Sequence, residues 1–238
     1  MEGWTDPGEH AAVAFVADEA HGAPILDLGV GAGRTVPLMR AISEDYVALD
    51  YTPELVGACK HKYPDVRVLP GDARDLSRFP DATFKLVMFS FNGIDAVDPE
   101  GRKKILDEVF RVLRPGGIFL FSAHNREGPG NGEKLIFGVG RTRNPFKLAW
   151  RLARAALHVR RAMKNHARYA KLGFDGDGYS IKNASAHDHG IMVYYTSLAN
   201  QLKELERAGF RPGTIVFGND DGRRIQTGDD VTSPWWFH

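Results

Sequence analysis

Short apolar runs alternate with helical patterns through the first half of the chain. Pro24–Leu28, Tyr46–Leu49, Val66–Leu69, Phe84–Phe89 and Ile118–Ala123 read as strands. Between and around them, amphipathic patterns predict helices over Pro7–Ala20, Arg34–Ile42, Pro53–Lys62 and Pro99–Leu113. The helix starts carry their own signals: Asp6, Thr52 and Asp98 stand as N-caps, each followed by a proline at the first helical position. Phe84–Phe89 is nearly continuous apolar sequence, as a strand covered on both faces requires. Alternation of this kind predicts a doubly wound, mostly parallel sheet with crossover helices.

From His124 to about Ile191 the pattern breaks. A Gly/Asn/Pro loop (Gly128–Gly132) leads to a basic amphipathic helix over about Pro145–Ala170 and then to another polar loop. Regular structure resumes with Thr196 capping a helix through Ala208, Gly209 closing it, a strand over Phe210–Phe217 and a turn at Asn219–Gly222. Trp235-Trp236-Phe237 reads as a last strand returning to the sheet. The expected fold is α/β: a Rossmann-like, doubly wound, seven-stranded, mostly parallel sheet. One domain comprises 1–125 and 192–238, with an α-helical insertion or lid over 126–191.

Composition narrows the class. At 238 residues, 43% hydrophobic and 26% charged, the chain can bury a full core. A single cysteine, Cys59, excludes an internal disulfide framework and a cysteine-based zinc cluster, and points to a cytoplasmic protein. No basic-then-apolar leader opens the sequence and no run reaches membrane-span length, so no membrane insertion is expected. The near-neutral charge conceals a split. Residues 134–171 hold eleven Lys or Arg and no Asp or Glu, leaving the remainder with twenty basic and thirty acidic residues, about −10 net.

The first strand ends at Asp27 and runs into Gly29, Gly31 and Gly33 before a helix. Glycines there allow a ligand to approach the backbone above the carboxyl edge of the sheet. A dinucleotide loop would place its third glycine where Arg34 stands, and a P-loop would need a Gly-Lys-Ser/Thr ending, which is absent. The order Asp-x-Gly-x-Gly-x-Gly resembles instead the class I S-adenosylmethionine (SAM)-dependent methyltransferases. An acidic residue closing the second strand (Asp50), the Gly71-Asp72-Ala73 segment after the third, and Glu108–Gly117 leading into the fifth agree with that family over about residues 24–123.

The resemblance implies SAM as cofactor, S-adenosylhomocysteine (SAH) as product, and no lysine in the loop, since the ligand has no phosphate. It assigns Asp27, Gly29, Gly31 and Gly33 to the methionine end, and Asp50 with neighbouring Tyr51 to the ribose. Asp72 and Ala73 fall to the adenine, and Ser90 and Phe91 to the floor where cofactor and acceptor meet. Asn92 and Asp95 are candidates for orienting the acceptor, or caps of the following loop. Asp27 and Asp50 have simpler alternatives, a turn-stabilising side chain and a solvated strand end.

Methylation of a hydroxyl needs a base, and histidine suits that role. His124, directly after the fifth strand, is the first candidate. His187 and His189 form a His-Asp-His stretch that could serve the same end; without a further matched ligand it is a weak zinc signal, and no metal is expected. Tyr194 and Tyr195 shape the acceptor pocket or pack beneath the next helix. Phe91-Asn92-Gly93-Ile94 lacks the paired prolines of DNA amino-methyltransferases, and the only cysteine lies in a helix, so both nucleic-acid chemistries are disfavoured.

The function expected is methyl transfer to an oxygen or nitrogen of a small metabolite, with an anionic acceptor first to test. The alternatives are an RNA methyltransferase that uses the basic helix as its footprint, and a SAM-binding scaffold without turnover. The basic helix itself reads as a solvated face, as a surface for an acidic substrate, or as a contact for RNA or anionic membrane.

Overall fold

The computed structural model describes residues 5–131, 144–184, 189–226 and 228–238. Five parallel strands form the central sheet: β1 (Ile25–Leu28), β2 (Tyr46–Asp50), β3 (Arg67–Pro70), β4 (Phe84–Phe89) and β5 (Leu113–Phe121), in the order β3-β2-β1-β4-β5. Every pairing in it is parallel. The order reverses between β1 and β4, which opens a crevice at their carboxyl ends, where ligands of such sheets bind.

Alternation along each strand feeds two cores. Ile25, Ala48, Leu86 and Met88 face one layer with α1 (Pro7–Ala20), α2 (Val36–Ile42) and α3 (Pro53–Lys62). Leu26, Leu28, Val87 and Phe89 face the other, with α4 (Pro99–Val112) and Leu205. Lys85 interrupts the apolar run of β4 at little cost, because its ammonium reaches Glu19 and the Gly116 carbonyl.

Two of the three expected caps bond through their side chains, whereas Thr52 stands at the N-cap of α3 without a side-chain capping bond. Asp6 accepts from Glu9 N at 2.9 Å and Asp98 from Gly101 N at 2.7 Å. Two boundaries shift. Helix α2 begins at Val36 rather than Arg34, whose guanidinium is drawn to Glu9. The cap of the C-terminal helix, α6 (Leu198–Arg207), is Ser197, which accepts from Asn200 N, while Thr196 completes a strand. The connection from β3 to β4 carries no helix; Leu76 and Phe79 fill the core there instead.

The chain after β5 departs further from expectation. Its expected strand over Phe210–Phe217 shrinks to β10 (Val216–Phe217), paired with β11 (Arg224–Ile225). Pro212 offers no N–H and Gly213 has φ +102°, so neither extends a strand. Phe210 packs on Phe119 and Phe110 instead. The last strand, β12 (Trp236–Phe237), pairs antiparallel with β6 (Ala123–His124) and does not join the five-stranded sheet. The expected seven-stranded sheet is therefore a five-stranded one with small satellites.

The segment read as a polar loop carries β7 (Phe174–Asp175) and β8 (Tyr179–Asn183), which form an antiparallel sheet with β9 (Met192–Thr196) just beyond it. The basic helix forms as α5 (Pro145–Tyr169), with Asn144 as its N-cap. No helix among the described residues is long and apolar enough to cross a membrane.

Candidate active site

The glycine loop takes the shape its composition permits. Gly29, Gly31 and Gly33 all have positive φ, at +66°, +58° and +88°. Asp50 fixes the loop from β2: its Oδ2 accepts from Gly31 N and its Oδ1 from Thr52 N, both at 2.8 Å. A carboxylate has about four acceptor positions, so two remain for further donors.

Asp27 lies beneath the loop and is buried. Its Oδ2 accepts from Thr35 and, at 2.8 Å, from the Tyr46 hydroxyl, whereas its buried Oδ1 has no hydrogen-bond partner. Burial pushes its pKa up to about 6, against the opposing effect of those two hydroxyls and of Arg34. A buried carboxylate oxygen without a donor is costly unless something supplies one.

These features fit the cofactor that the sequence resemblance implies. An ammonium would satisfy Asp27 Oδ1. A Cβ added to Gly31 would meet nothing within 4 Å, so the backbone borders open space. The remaining acceptor capacity of Asp50 suits a pair of ribose hydroxyls. Tyr51, beside it, is exposed.

Asp72 is differently engaged. Arg74 clamps it through Nε at 3.0 Å and Nη2 at 2.6 Å, and this holds its carboxyl below the usual range despite some desolvation. Its neighbour Ala73 packs against the core cluster on the α4 side. Ser90 hydrogen-bonds Glu9 and Arg34, which themselves form a two-pronged ion pair at 2.6 and 2.8 Å. Glu9 was not foreseen as a site residue. Its one sequence signal is a carboxylate among the inward-facing positions Ala12, Val16 and Ala20 of α1.

After Ser90 the chain turns sharply. Phe91 and Asn92 both adopt left-handed conformations, φ +55° and +58°, a costly arrangement for two consecutive non-glycine residues. Ser122 holds the turn through Asn92 N at 2.7 Å. It leaves the Phe91 ring exposed and Asn92 buried, with the Asn92 Oδ1 unpartnered.

His124 and Asp95 meet here. Asp95 is wholly buried; its Oδ2 accepts from His124 N at 2.6 Å and from His124 Nδ1 at 2.9 Å. A carboxylate only accepts, so this bond assigns the ring proton to Nδ1 and leaves Nε2 as the basic nitrogen. The Asn92 amide lies 3.4 Å from that Nε2. The other Asp95 oxygen takes Arg102, a fully buried guanidinium that also reaches Glu204 at 2.9 Å and Gln201.

Aromatic rings enclose the imidazole. Tyr195 lies 5.1 Å from it and Trp236 6.5 Å, centroid to centroid, and Phe91 lies 6.3 Å from Trp236. Asn125 fixes this arrangement by donating to the Val231 and Pro234 carbonyls of the C-terminal segment. Tyr194 does not join it: its ring lies under Arg102, and its hydroxyl donates to Glu204 at 2.6 Å. His189 is buried beside Asn183 and His166, away from the Asp95 bonds. His187 lies outside the described residues. Among the described residues no group of three or more His, Cys, Asp or Glu is arranged to hold a metal.

Residues 25–117 match the family described as "Methyltransferase domain". A probable S-adenosylmethionine-dependent methyltransferase of Mycolicibacterium smegmatis is 32% identical over 133 residues, 55% of this chain and 47% of that protein. The chain thus spans about half the length of that curated relative. Among solved structures, a S-adenosylmethionine-dependent methyltransferase from Mesorhizobium loti aligns with TM-score 0.59 at 18% identity, over 87% of this chain and 83% of that one. A 1,6-didemethyltoxoflavin-N1-methyltransferase from Burkholderia thailandensis, solved with its acceptor and SAH bound, aligns with TM-score 0.54 at 15% identity, over 88% and 69%. These two structures share the fold.

Proposed function

We infer, from a chain that belongs over residues 25–117 to the class I SAM-dependent methyltransferases, that it methylates an oxygen or nitrogen of a small acceptor with His124 as general base. The supporting observation is the Asp95–His124 pair, 2.9 Å apart, at the carboxyl edge that also carries the glycine loop. When bound, SAM supplies an electrophilic methyl on a sulfonium sulfur and leaves as the neutral thioether SAH.

The protein's own residues would act as follows. Asp27 and Asp50 receive the charged and hydroxyl ends of the cofactor, and Gly31 gives it room. Asn92, with its unpartnered Oδ1, accepts a second donor of the acceptor molecule, beside the O–H or N–H that faces His124 Nε2. The imidazole takes that proton, and Asp95 stabilises the resulting cation, as an orienting carboxylate does in other base pairs. Trp236 and Tyr195, packed against the imidazole, limit the access of water to the exchange.

The acceptor suited to this setting is flat. Arg34 pairs with Glu9, and Arg102 with Asp95 and Glu204, so rings line the surroundings of the imidazole more than cations do. The segment 126–191 acts as the acceptor-side insertion in a domain made of 1–125 and 192–238. Its support is the contact of Arg126 N with the Thr196 carbonyl beside Tyr195.

The test is an acceptor screen by mass spectrometry with SAM, following SAH release and a gain of one methyl in the acceptor. His124→Gln should bind SAH like the unmutated protein yet lose turnover with any acceptor found. Full turnover by that variant would remove the base assignment.

A further inference from the structure

The basic helix α5 exposes a face that neither a solvated surface nor the site above explains. Phe146, Trp150, Ala153 and Leu157 follow at i, i+4, i+7 and i+11, which places them in one stripe. Phe146 is 86% exposed, Trp150 60% and Leu157 70%. The opposite side of the helix docks on the protein: Ala162 is buried, and His166 meets Asn183 at 3.3 Å and the His189 ring.

Charge frames the stripe with one sign. The 25 residues of α5 include seven Lys or Arg and no Asp or Glu. Lys147 and Arg154 flank the apolar positions, with the Arg154 guanidinium 5.3 Å from the Trp150 ring. Toward the C-terminus the same face continues as Arg161, Lys164 and Arg168. At 1.5 Å per residue the helix is about 37 Å long, enough to lie flat across several lipid headgroups.

We propose that α5 is an interfacial helix that docks this protein on an anionic lipid bilayer, with Phe146, Trp150 and Leu157 entering the headgroup region and the basic residues meeting lipid phosphates. A large aromatic pair with a leucine amid cations is the pattern of helices that lie in a membrane interface. A nucleic acid would use the cations, but it has no use for the exposed Leu157 in the same stripe. The inference does not rest on the methyltransferase reading, and the two fail separately.

The experiment is vesicle flotation of the full chain, with vesicles of phosphatidylcholine alone compared with equimolar phosphatidylcholine and phosphatidylglycerol. Binding is expected only to the anionic vesicles, weakening as salt rises. The triple variant Phe146→Ser, Trp150→Ser, Leu157→Ser should lower the partition coefficient about tenfold or more. Arg154→Glu with Lys164→Glu should lower it by at least about fivefold for each position, since one basic residue near such a surface is worth about that factor. Unchanged circular dichroism keeps either variant interpretable. Two results overturn the proposal: no binding of the unmutated chain to the anionic vesicles, whether or not it binds poly(U) RNA, or anionic-vesicle binding that the triple substitution leaves unchanged.

Discussion

Trp236 lies directly opposite His124 in the antiparallel pair β6–β12. The last strand of the chain therefore walls the imidazole, and the Trp236 indole N–H is held by Asp6 at 3.0 Å at the head of α1. Asp6 at the start of α1 and Trp236 of β12 thus meet beside the proposed base. Trp236→Phe keeps a ring there but loses that hydrogen bond, and should cost about 1 kcal/mol in a denaturant titration. Trp236→Ala also loses the packing, and should cost about 2 kcal/mol for a half-buried ring.

Asp27 makes cofactor affinity depend on pH. Its folded pKa of about 6 lies above the ordinary 3.8, so ionising it in the folded apo-protein is unfavourable. The stability it contributes is complete below the ordinary value and is lost as pH rises through about 6, a difference of about 3 kcal/mol. A cationic ligand group reverses the preference. SAM affinity should therefore rise between about pH 5 and pH 7, whereas Asp27→Asn should bind SAM weakly and with that rise abolished, while unfolding at higher temperature at pH 8. Calorimetry and a thermal melt at each pH check both halves.

The glycines separate binding from folding. Gly31→Ala faces open space but a positive φ, so it should cost about 1 kcal/mol of stability yet reduce SAH affinity about tenfold or more. A Cβ at Gly33 would stand 2.6 Å from the Tyr63 ring and 3.0 Å from Cys59 Sγ. Gly33→Ala should therefore destabilise by about 2–3 kcal/mol. Equal effects of the two on folding would contradict this division.

The Asp95–His124 bond is open to direct observation without an acceptor. Nitrogen-15 NMR of labelled histidine should show His124 in the Nδ1–H tautomer. Asp95→Asn should lose that preference and cost about 3 kcal/mol, because it leaves the buried Arg102 short of a carboxylate. Once an acceptor is known, His124→Gln should lower kcat about 100-fold or more. An Nε2–H tautomer in the unmutated protein would withdraw the role given to Asp95.

Much of the sheet was legible because its strands are local and covered on both faces: the runs at Ile25–Leu28 and Phe84–Phe89 announce themselves. The loop glycines, Asp27, Asp50 and His124 stand at strand ends that the apolar runs mark, while the cofactor roles given to Asp27 and Asp50 rest on the family resemblance. The β8–β9 pair was not legible, since Tyr179–Asn183 offers only Tyr179 and Ile181 as apolar side chains among Ser180, Lys182 and Asn183, too short a face to mark a strand. The partnership of Trp236 with His124 joins residues far apart in sequence, and no local pattern encodes such a register. Glu9 and Arg102 were missed for a related reason: a charged residue in a helix is taken as solvated until its partners, here Arg34 and Asp95, are brought to it.

Isothermal calorimetry of SAH into the purified chain tests the cofactor assignment most directly. Saturable one-to-one binding is expected, weakened about tenfold or more by Asp50→Ala, which removes the carboxylate that holds Gly31 and would receive the ribose. No binding of SAH or SAM to the folded, unmutated protein would contradict the assignment.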